Sequence, residues 1–157
     1  MAYEGIAPVS FESVSAVTAT PSVDVGTRRT YAGKDYRYVY NAGGAQISVK
    51  NAAIYSAVSG YSVTVSSVTN LNHFIAGVCV HATLTTATYG WLLTEGFATV
   101  EMGADNSAAA GAGICLGTDG KFARVVSANT DVMQGQRVGV AMVAIASGGS
   151  GTAYLRF

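Results

Sequence analysis

The sequence is poor in charged residues and in proline. It has 9 Lys or Arg and 9 Asp or Glu among 157 residues, giving a formal net charge of zero, and only 2 prolines. Charged residues make up 11 % of the chain, against about 25 % in an average globular domain. Without a basic excess, a protein that binds nucleic acid by neutralising its phosphates is disfavoured. Because an uncharged surface is poorly protected against association, we expect other chains to cover much of it.

The sequence also has little that resembles a secretory signal or a membrane span. Residues 1–5 contain no basic stretch followed by an apolar run, so we expect no secretory signal. The most apolar stretches, 74–80 and 138–146, are far shorter than the roughly 20 residues that span a bilayer. We therefore expect a protein made in a cytoplasm, with no membrane partner.

The few cysteines and histidines do not have the spacing of a metal site. Cys79 and Cys115 each lie among apolar residues, which favours two buried, unpaired thiols. His73 and His81 are ligand types too, but no Cys-x₂-Cys or His-x₃-His pair occurs, and closed zinc sites use such pairs. The sequence predicts no metal and no cofactor.

Residue patterns that carry catalysis are equally scarce. The chain has neither the Gly-x-Ser-x-Gly sequence of serine hydrolases nor a phosphate-binding loop that ends in Gly-Lys-Ser/Thr. Glu95 and Glu101 flank a predicted turn, yet two solvated turn residues explain them better than a glycosidase pair does. We predict that the protein is not an enzyme.

The sequence is rich in the residue pattern of β-strands. Val, Ile, Thr and Tyr favour strands, and they recur in short alternating or apolar segments at 36–40, 46–50, 61–66, 74–80, 89–93, 97–102, 113–116, 122–126, 137–146 and 152–157. Short strands separated by glycine-containing turns predict an all-β fold, a small barrel or sandwich of short antiparallel strands. Residues 50–58 are the exception, since a short helix or a turn is an open alternative there.

Glycine-containing turns predict which of these segments form hairpins. Turns at 41–44, 94–96 and 147–151 separate successive segments, and the Asp119-Gly120 pair is a strong hairpin pattern. Residues 104–111 fit a loop better than a helical turn because of their glycines. Gly77 and Gly139 are each the second residue of two similar pentapeptides, 76–80 and 138–142, in which the glycine indicates close approach of another backbone.

Residues 1–30 lack this rhythm and contain both prolines. We interpret them as an extended N-terminal arm, with residues 31–157 forming the barrel-like domain. The apolar residues of the arm need a partner surface, on this chain or on a neighbour: Ile6, Val9, Phe11 and Val14. A helix over 11–19 is the alternative.

Tyrosines and basic residues alternate just after the arm. Arg28 and Arg29 precede a segment that contains Tyr36, Arg37, Tyr38 and Tyr40. Three uses remain open: stacking on single-stranded nucleic acid or sugar, a protein interface, or a strand face packed on the barrel. We expect Trp91 to pack in the core beside Tyr89 and Phe97.

Charge is segregated along the chain, although its sum is zero. Acidic residues predominate at 1–27 and 51–119, and basic residues at 28–50 and 120–157. Such blocks can form complementary patches that steer docking between subunits. Ion pairing within one folded chain is the alternative.

The order of several segments carries a resemblance: 25–27, 36–40, 43–44, 47–49, 76–78, 89–100, 138–142 and 153–157. Over residues 25–157 the chain resembles the small decoration, or cement, proteins of tailed-bacteriophage capsids. The resemblance implies a β-barrel-like structural protein, usually trimeric, on the outer capsid surface of the virion. It implies two partners, the major capsid protein and further copies of the chain, and no nucleic acid.

The function implied by the resemblance is to clamp neighbouring major capsid proteins and so stabilise the capsid. A phage head-fibre, tail or receptor-binding structural protein is the alternative. The contact residues that we predict lie in the arm and in the tyrosine–arginine segment: Ile6, Val9, Phe11, Val14, Arg28, Arg29, Tyr36, Arg37, Tyr38 and Tyr40.

Overall fold

Strands account for all the regular secondary structure in the part of the chain that the structure describes. It is a computed structural model, and it describes residues 13–56, 60–65, 74–125 and 137–157. These residues form eleven strands and no helix, which confirms the all-β prediction. The strands are β1 (Val17–Thr18), β2 (Arg28–Tyr31), β3 (Lys34–Asn41), β4 (Ala52–Tyr55), β5 (Ser62–Val65), β6 (Ile75–Val78), β7 (Tyr89–Glu101), β8 (Gly113–Leu116), β9 (Phe122–Arg124), β10 (Gly139–Ala141) and β11 (Ser150–Arg156).

Five of the strands close into a small barrel. Hydrogen-bonded pairing runs from β3 to β5, β4, β6 and β7, and then from β7 back to β3. Every pair is antiparallel except β3–β5. Each strand gives one buried side chain to a shared core: Val39, Ala53, Val63, Ala76 and Leu92. Strand closure removes the free edges that would otherwise invite aggregation.

Four further strands continue from the far half of β7. This half pairs with β11, which pairs in turn with β10, β8 and β9. An isolated bridge joins Met102, directly after β7, to Phe122 in β9. A larger core cluster spans both halves and includes Trp91, Leu93 and Leu155.

The length of β7 corrects the predicted turn at 94–96. β3 pairs with β7 as far as Glu95, and β11 pairs with β7 from Glu95 onward. One neighbour therefore takes over where the other ends, and the chain stays extended through Gly96. The glycine remains necessary, because its φ is +128° and the Lys34 side chain lies against it.

Two other local predictions are wrong for a similar reason. Residues 46–50 form no hairpin with β3, because β3 pairs with β2, β5 and β7 instead; Ile47 makes only an isolated bridge to Leu84. The helix alternative at 50–58 fails at its centre, where β4 lies between β5 and β6. In both cases the long-range pairing of strands overrides the local pattern.

Several turn predictions are confirmed. Asp119 and Gly120 have φ values of 57° and 73° and join β8 to β9, which pair antiparallel. A Cβ atom on Gly77 would lie 2.6 Å from the Leu93 carbonyl oxygen, and one on Gly139 would overlap that of Tyr154. Both glycines thus allow the close backbone approach that their pentapeptides indicate.

The described part of the predicted arm packs on the rest of the chain. Val14 is 5 % exposed and belongs to the larger core cluster. β1 pairs with β7, and β2 forms a hairpin with β3. No helix forms at 13–19. The predicted contact residues Ile6, Val9 and Phe11 lie outside the described residues.

No helix in the described ranges is long and apolar enough to cross a membrane.

Candidate partner-binding cleft

A cleft of about 280 Å³ lies beside the β2–β3 hairpin. Its walls also include residues of β4, β6 and β7. Four of the residues predicted as contacts lie in these walls: Arg28, Arg29, Tyr36 and Arg37. Strand pairing brings this basic segment together with distant residues such as Tyr55 and Ile75.

Arg37 is held firmly in this cleft. One of its terminal nitrogens, Nη1, donates a hydrogen bond to the Tyr55 hydroxyl at 2.7 Å. Its guanidinium carbon lies 5.3 Å from the centre of the Tyr61 ring, a cation–π distance. Its Nε is buried and has no hydrogen-bond partner among the described residues. Tyr55 and Tyr61 therefore fix the guanidinium in position, and its Nε has no acceptor in the ranges that the structure describes.

Arg28 lies directly opposite Arg37 in the β2–β3 ladder. Side chains of such cross-strand pairs share a face of the sheet, and like charges placed there repel each other. In the described ranges neither arginine forms an ion pair with a carboxylate; the pairs found there are Lys121–Glu101 and Arg156–Glu95. The two arginines give this part of the cleft a positive potential.

The acidic residues of the cleft are engaged with other neighbours. Asp35 accepts a hydrogen bond from the Thr30 hydroxyl at 2.6 Å. Glu95 accepts one from Tyr154 at 2.9 Å and lies 4.0 Å from Arg156 Nε. The hydrogen bond to Glu95 raises the pKa of the Tyr154 hydroxyl.

Glu95 and Glu101 lie at different places along β7. The strand continues between them without a turn, so about 3.3 Å of rise per residue separates them by roughly 20 Å. They do not form the carboxylate pair that a hairpin would have made. Glu101 instead pairs with Lys121 at 3.0 Å.

Tyr36 and Tyr38 lie inside the protein. They are 1 % and 0 % exposed, so their predicted role in contacting a partner has to be corrected. Tyr38 packs against Trp91 at a tilt of 56°, with ring centres 5.0 Å apart, which fits the prediction that Trp91 packs in the core. Tyr40, on the same face of β3, is partly exposed, and the centre of its ring lies 4.7 Å from that of Tyr89.

The buried Tyr36 hydroxyl has a histidine partner. It lies 3.2 Å from Nε2 of His81, and the two rings stack. Burial raises the pKa of Tyr36. Burial and, to a smaller extent, the positive charge of Lys34 lower the pKa of His81. Both shifts favour the uncharged forms; the tautomer of His81 then decides whether the Tyr36 hydroxyl donates to Nε2 or accepts from Nε2–H.

An exposed apolar face on β7, β10 and β11 escaped the sequence reasoning. Phe97 is 50 % exposed and packs edge-on against Tyr154, with ring centres 5.2 Å apart. This corrects its predicted position beside Trp91. Val140 pairs with Tyr154 on the same face, and Met142 is 48 % exposed nearby. The alternation of residues 97–101 was the available clue, but the predicted turn disrupted its register.

Neither cysteine lies in a reactive position. Cys79 and Cys115 are buried and unpaired, and their Sγ atoms contact the carbonyl oxygens of Ala82 and Ala123. Among the described residues no group of three or more His, Cys, Asp and Glu side chains could hold a metal ion. His73 lies outside those residues.

The thiols should therefore resist modification in the folded protein. Burial raises the pKa of each thiol from 9.0 to about 11. We expect almost no reaction with Ellman's reagent at about pH 8, where a free thiol reacts readily. After unfolding, we expect both thiols to react. Because the folded-state pKa is the higher one, the thiols contribute stability below pH 9.0 that is lost as the pH rises toward about 11. Rapid labelling of the native chain would contradict this.

Comparison with known proteins finds similarity in structure. No family model and no curated protein matches the chain. Its fold is similar to that of a phage head-fibre base. The N base of the head fibre gp8.5 of bacteriophage phi29 matches with a TM-score of 0.52, over 76 % of this chain and 93 % of that one. At 12 % sequence identity the likeness is one of fold.

Proposed function

We propose that this chain is a structural protein of a phage virion, bound to the outer surface of the capsid, which it stabilises by clamping neighbouring major capsid proteins. The observation that carries the proposal is the match to the phi29 head-fibre base over 93 % of that chain. A fold can host many functions, so the match gains weight from the independent resemblance of residues 25–157 to capsid decoration proteins.

The surface of the described residues fits a protein that assembles. Phe97 on β7 and Met142, directly after β10, are each about half exposed, and exposed apolar faces mark sites of protein association. With charged residues at only 11 % of the chain, little would oppose such contacts. We propose that this face joins copies of the chain into a homotrimer. The chain acts in this assembly without catalysis or a cofactor.

A base for a head fibre is the second candidate, favoured by the name of the matching structure. The two candidates differ in what binding does to the capsid. A clamp joins adjacent capsid proteins and raises the temperature at which heads release their DNA. A fibre base attaches at its site without that effect.

Removal of residues 1–12 tests the role of the arm. Val14 packs in the core, and Thr18 contacts the Tyr38 hydroxyl, so a deletion that ends at residue 12 spares every described contact. We expect the shortened chain to keep its thermal unfolding midpoint and to lose its binding to heads that lack the full-length protein. Cosedimentation with such heads measures binding, and DNA release on heating measures clamping.

Each outcome of this experiment separates the hypotheses. Binding that survives the deletion would overturn the contact role of Ile6, Val9 and Phe11. Binding of the full-length chain without thermal protection would favour the fibre base. If the full-length chain does not bind heads at all, the proposed function is wrong.

A further inference from the structure

The two arginines of the cleft lie side by side, and neither forms an ion pair within the described ranges. Arg28 and Arg37 are cross-strand partners, so both guanidinium groups extend over the same face of the hairpin. Asp35, two residues before Arg37 on β3, accepts a hydrogen bond from Thr30. Like charges held face to face favour an anion that bridges them.

The fixed position of Arg37 also favours a bound anion. Tyr55 and Tyr61 hold its guanidinium, while its buried Nε lacks a partner among the described residues. Planar guanidinium groups bind carboxylate and phosphate through two parallel hydrogen bonds. Because Arg28 and Arg37 both line the cleft, an oxygen anion fits between them.

The rest of the cleft selects among the possible anions. Asp35 and Glu95 also lie in its walls, and their carboxylates repel a polyanion such as nucleic acid or polyphosphate. Ile75 and Phe157 add apolar surface. A single carboxylate with apolar neighbours, as in an acidic peptide segment, satisfies both conditions.

We infer that the cleft binds an acidic segment of a protein partner and seats one of its carboxylates between Arg28 and Arg37. The cleft would hold an anchoring side chain rather than a whole ligand, since its volume is about 280 Å³. Anchors of this kind fix the register of an interface and carry much of its binding energy. The inference holds whether or not the partner is a capsid protein.

Nuclear magnetic resonance of the full chain, labelled with ¹⁵N, tests the inference directly. The probes are a capped hexapeptide with two glutamates among leucine and glycine, the same peptide with glutamines, and inorganic phosphate. We expect the glutamate peptide alone to shift the Nε–Hε signal of Arg37. Loss of one charged hydrogen-bonding partner in Arg28→Gln should weaken binding about tenfold or more.

Arg124→Gln provides the matched control, because Arg124 is an exposed arginine on β9, away from the cleft, and its replacement should leave binding unchanged. An equal shift with the glutamine peptide, or no shift at millimolar glutamate peptide, would overturn the inference. Tighter binding of phosphate than of the glutamate peptide would also overturn it. An Arg37 signal that shifts with protein concentration and not with peptide would overturn it too, and would identify a second copy of the chain as the occupant. None of these results bears on binding to heads, so the proposed function is tested separately.

Discussion

Tyr38→Ala should lower the free energy of unfolding by about 3–5 kcal/mol, the usual cost of deleting a buried aromatic side chain. Tyr38 is completely buried and packs between the rings of Trp91 and Tyr89, whose centres lie 5.0 and 6.2 Å away. For a chain of this length the loss corresponds to a fall of about 6–20 °C in the thermal midpoint. Thermal and urea unfolding followed by circular dichroism measure it.

Tyr38→Phe separates the ring from its hydroxyl. The hydroxyl lies 3.1 Å from Ser22 Oγ and 3.2 Å from Thr18 Oγ1, so this variant should lose only about 1 kcal/mol. Tyr31→Ala is the matched surface control, since Tyr31 is 52 % exposed. If Tyr38→Ala were as stable as Tyr31→Ala, the packing of β3 described above would be wrong.

Gly77→Ala should cost about 3 kcal/mol, because two penalties coincide at this residue. The φ of Gly77 is +150°, and a Cβ there would lie 2.6 Å from the Leu93 carbonyl oxygen and 2.9 Å from the Cβ of Leu92. The added methyl group would force apart β6 and β7, which close the barrel. The expected result is a thermal midpoint lower by about 6–12 °C.

Gly44→Ala is the control for this substitution. Gly44 is exposed, and nothing lies within 4 Å of the position that its Cβ would occupy. Surface substitutions of this kind change stability by about 0.5 kcal/mol or less. Equal stability of the two variants would contradict the close crossing of β6 and β7.

The candidate cleft was only partly predictable from the sequence. The alternation of basic residues and tyrosines over residues 28–40 predicted Arg28, Arg29 and Arg37 as contact residues. Tyr55 and Tyr61, which position the Arg37 guanidinium, lie far along the chain and could not be connected with it. The opposition of Arg28 and Arg37 depends on the β2–β3 register, which the sequence does not specify.

The sequence likewise did not specify which face of β3 is buried. Alternation correctly placed Tyr36, Tyr38 and Tyr40 on one face of β3. Which side of the sheet that face covers depends on what packs against it, and here Trp91 and the larger core cover Tyr38. A partner surface and an internal surface have the same residue pattern until the second layer is known.

The sequence by itself determined the strand-rich composition, the Asp119-Gly120 turn and the need for glycine at Gly77 and Gly139, because these depend on local conformation and on side-chain size. Tertiary structure alone decided that β7 continues through Gly96 and that β3 and β7 close the barrel. Extended backbone gains its hydrogen bonds only from other strands, so the choice between a turn and a continuous strand was made by β3 and β11, which lie far from Gly96 in the chain.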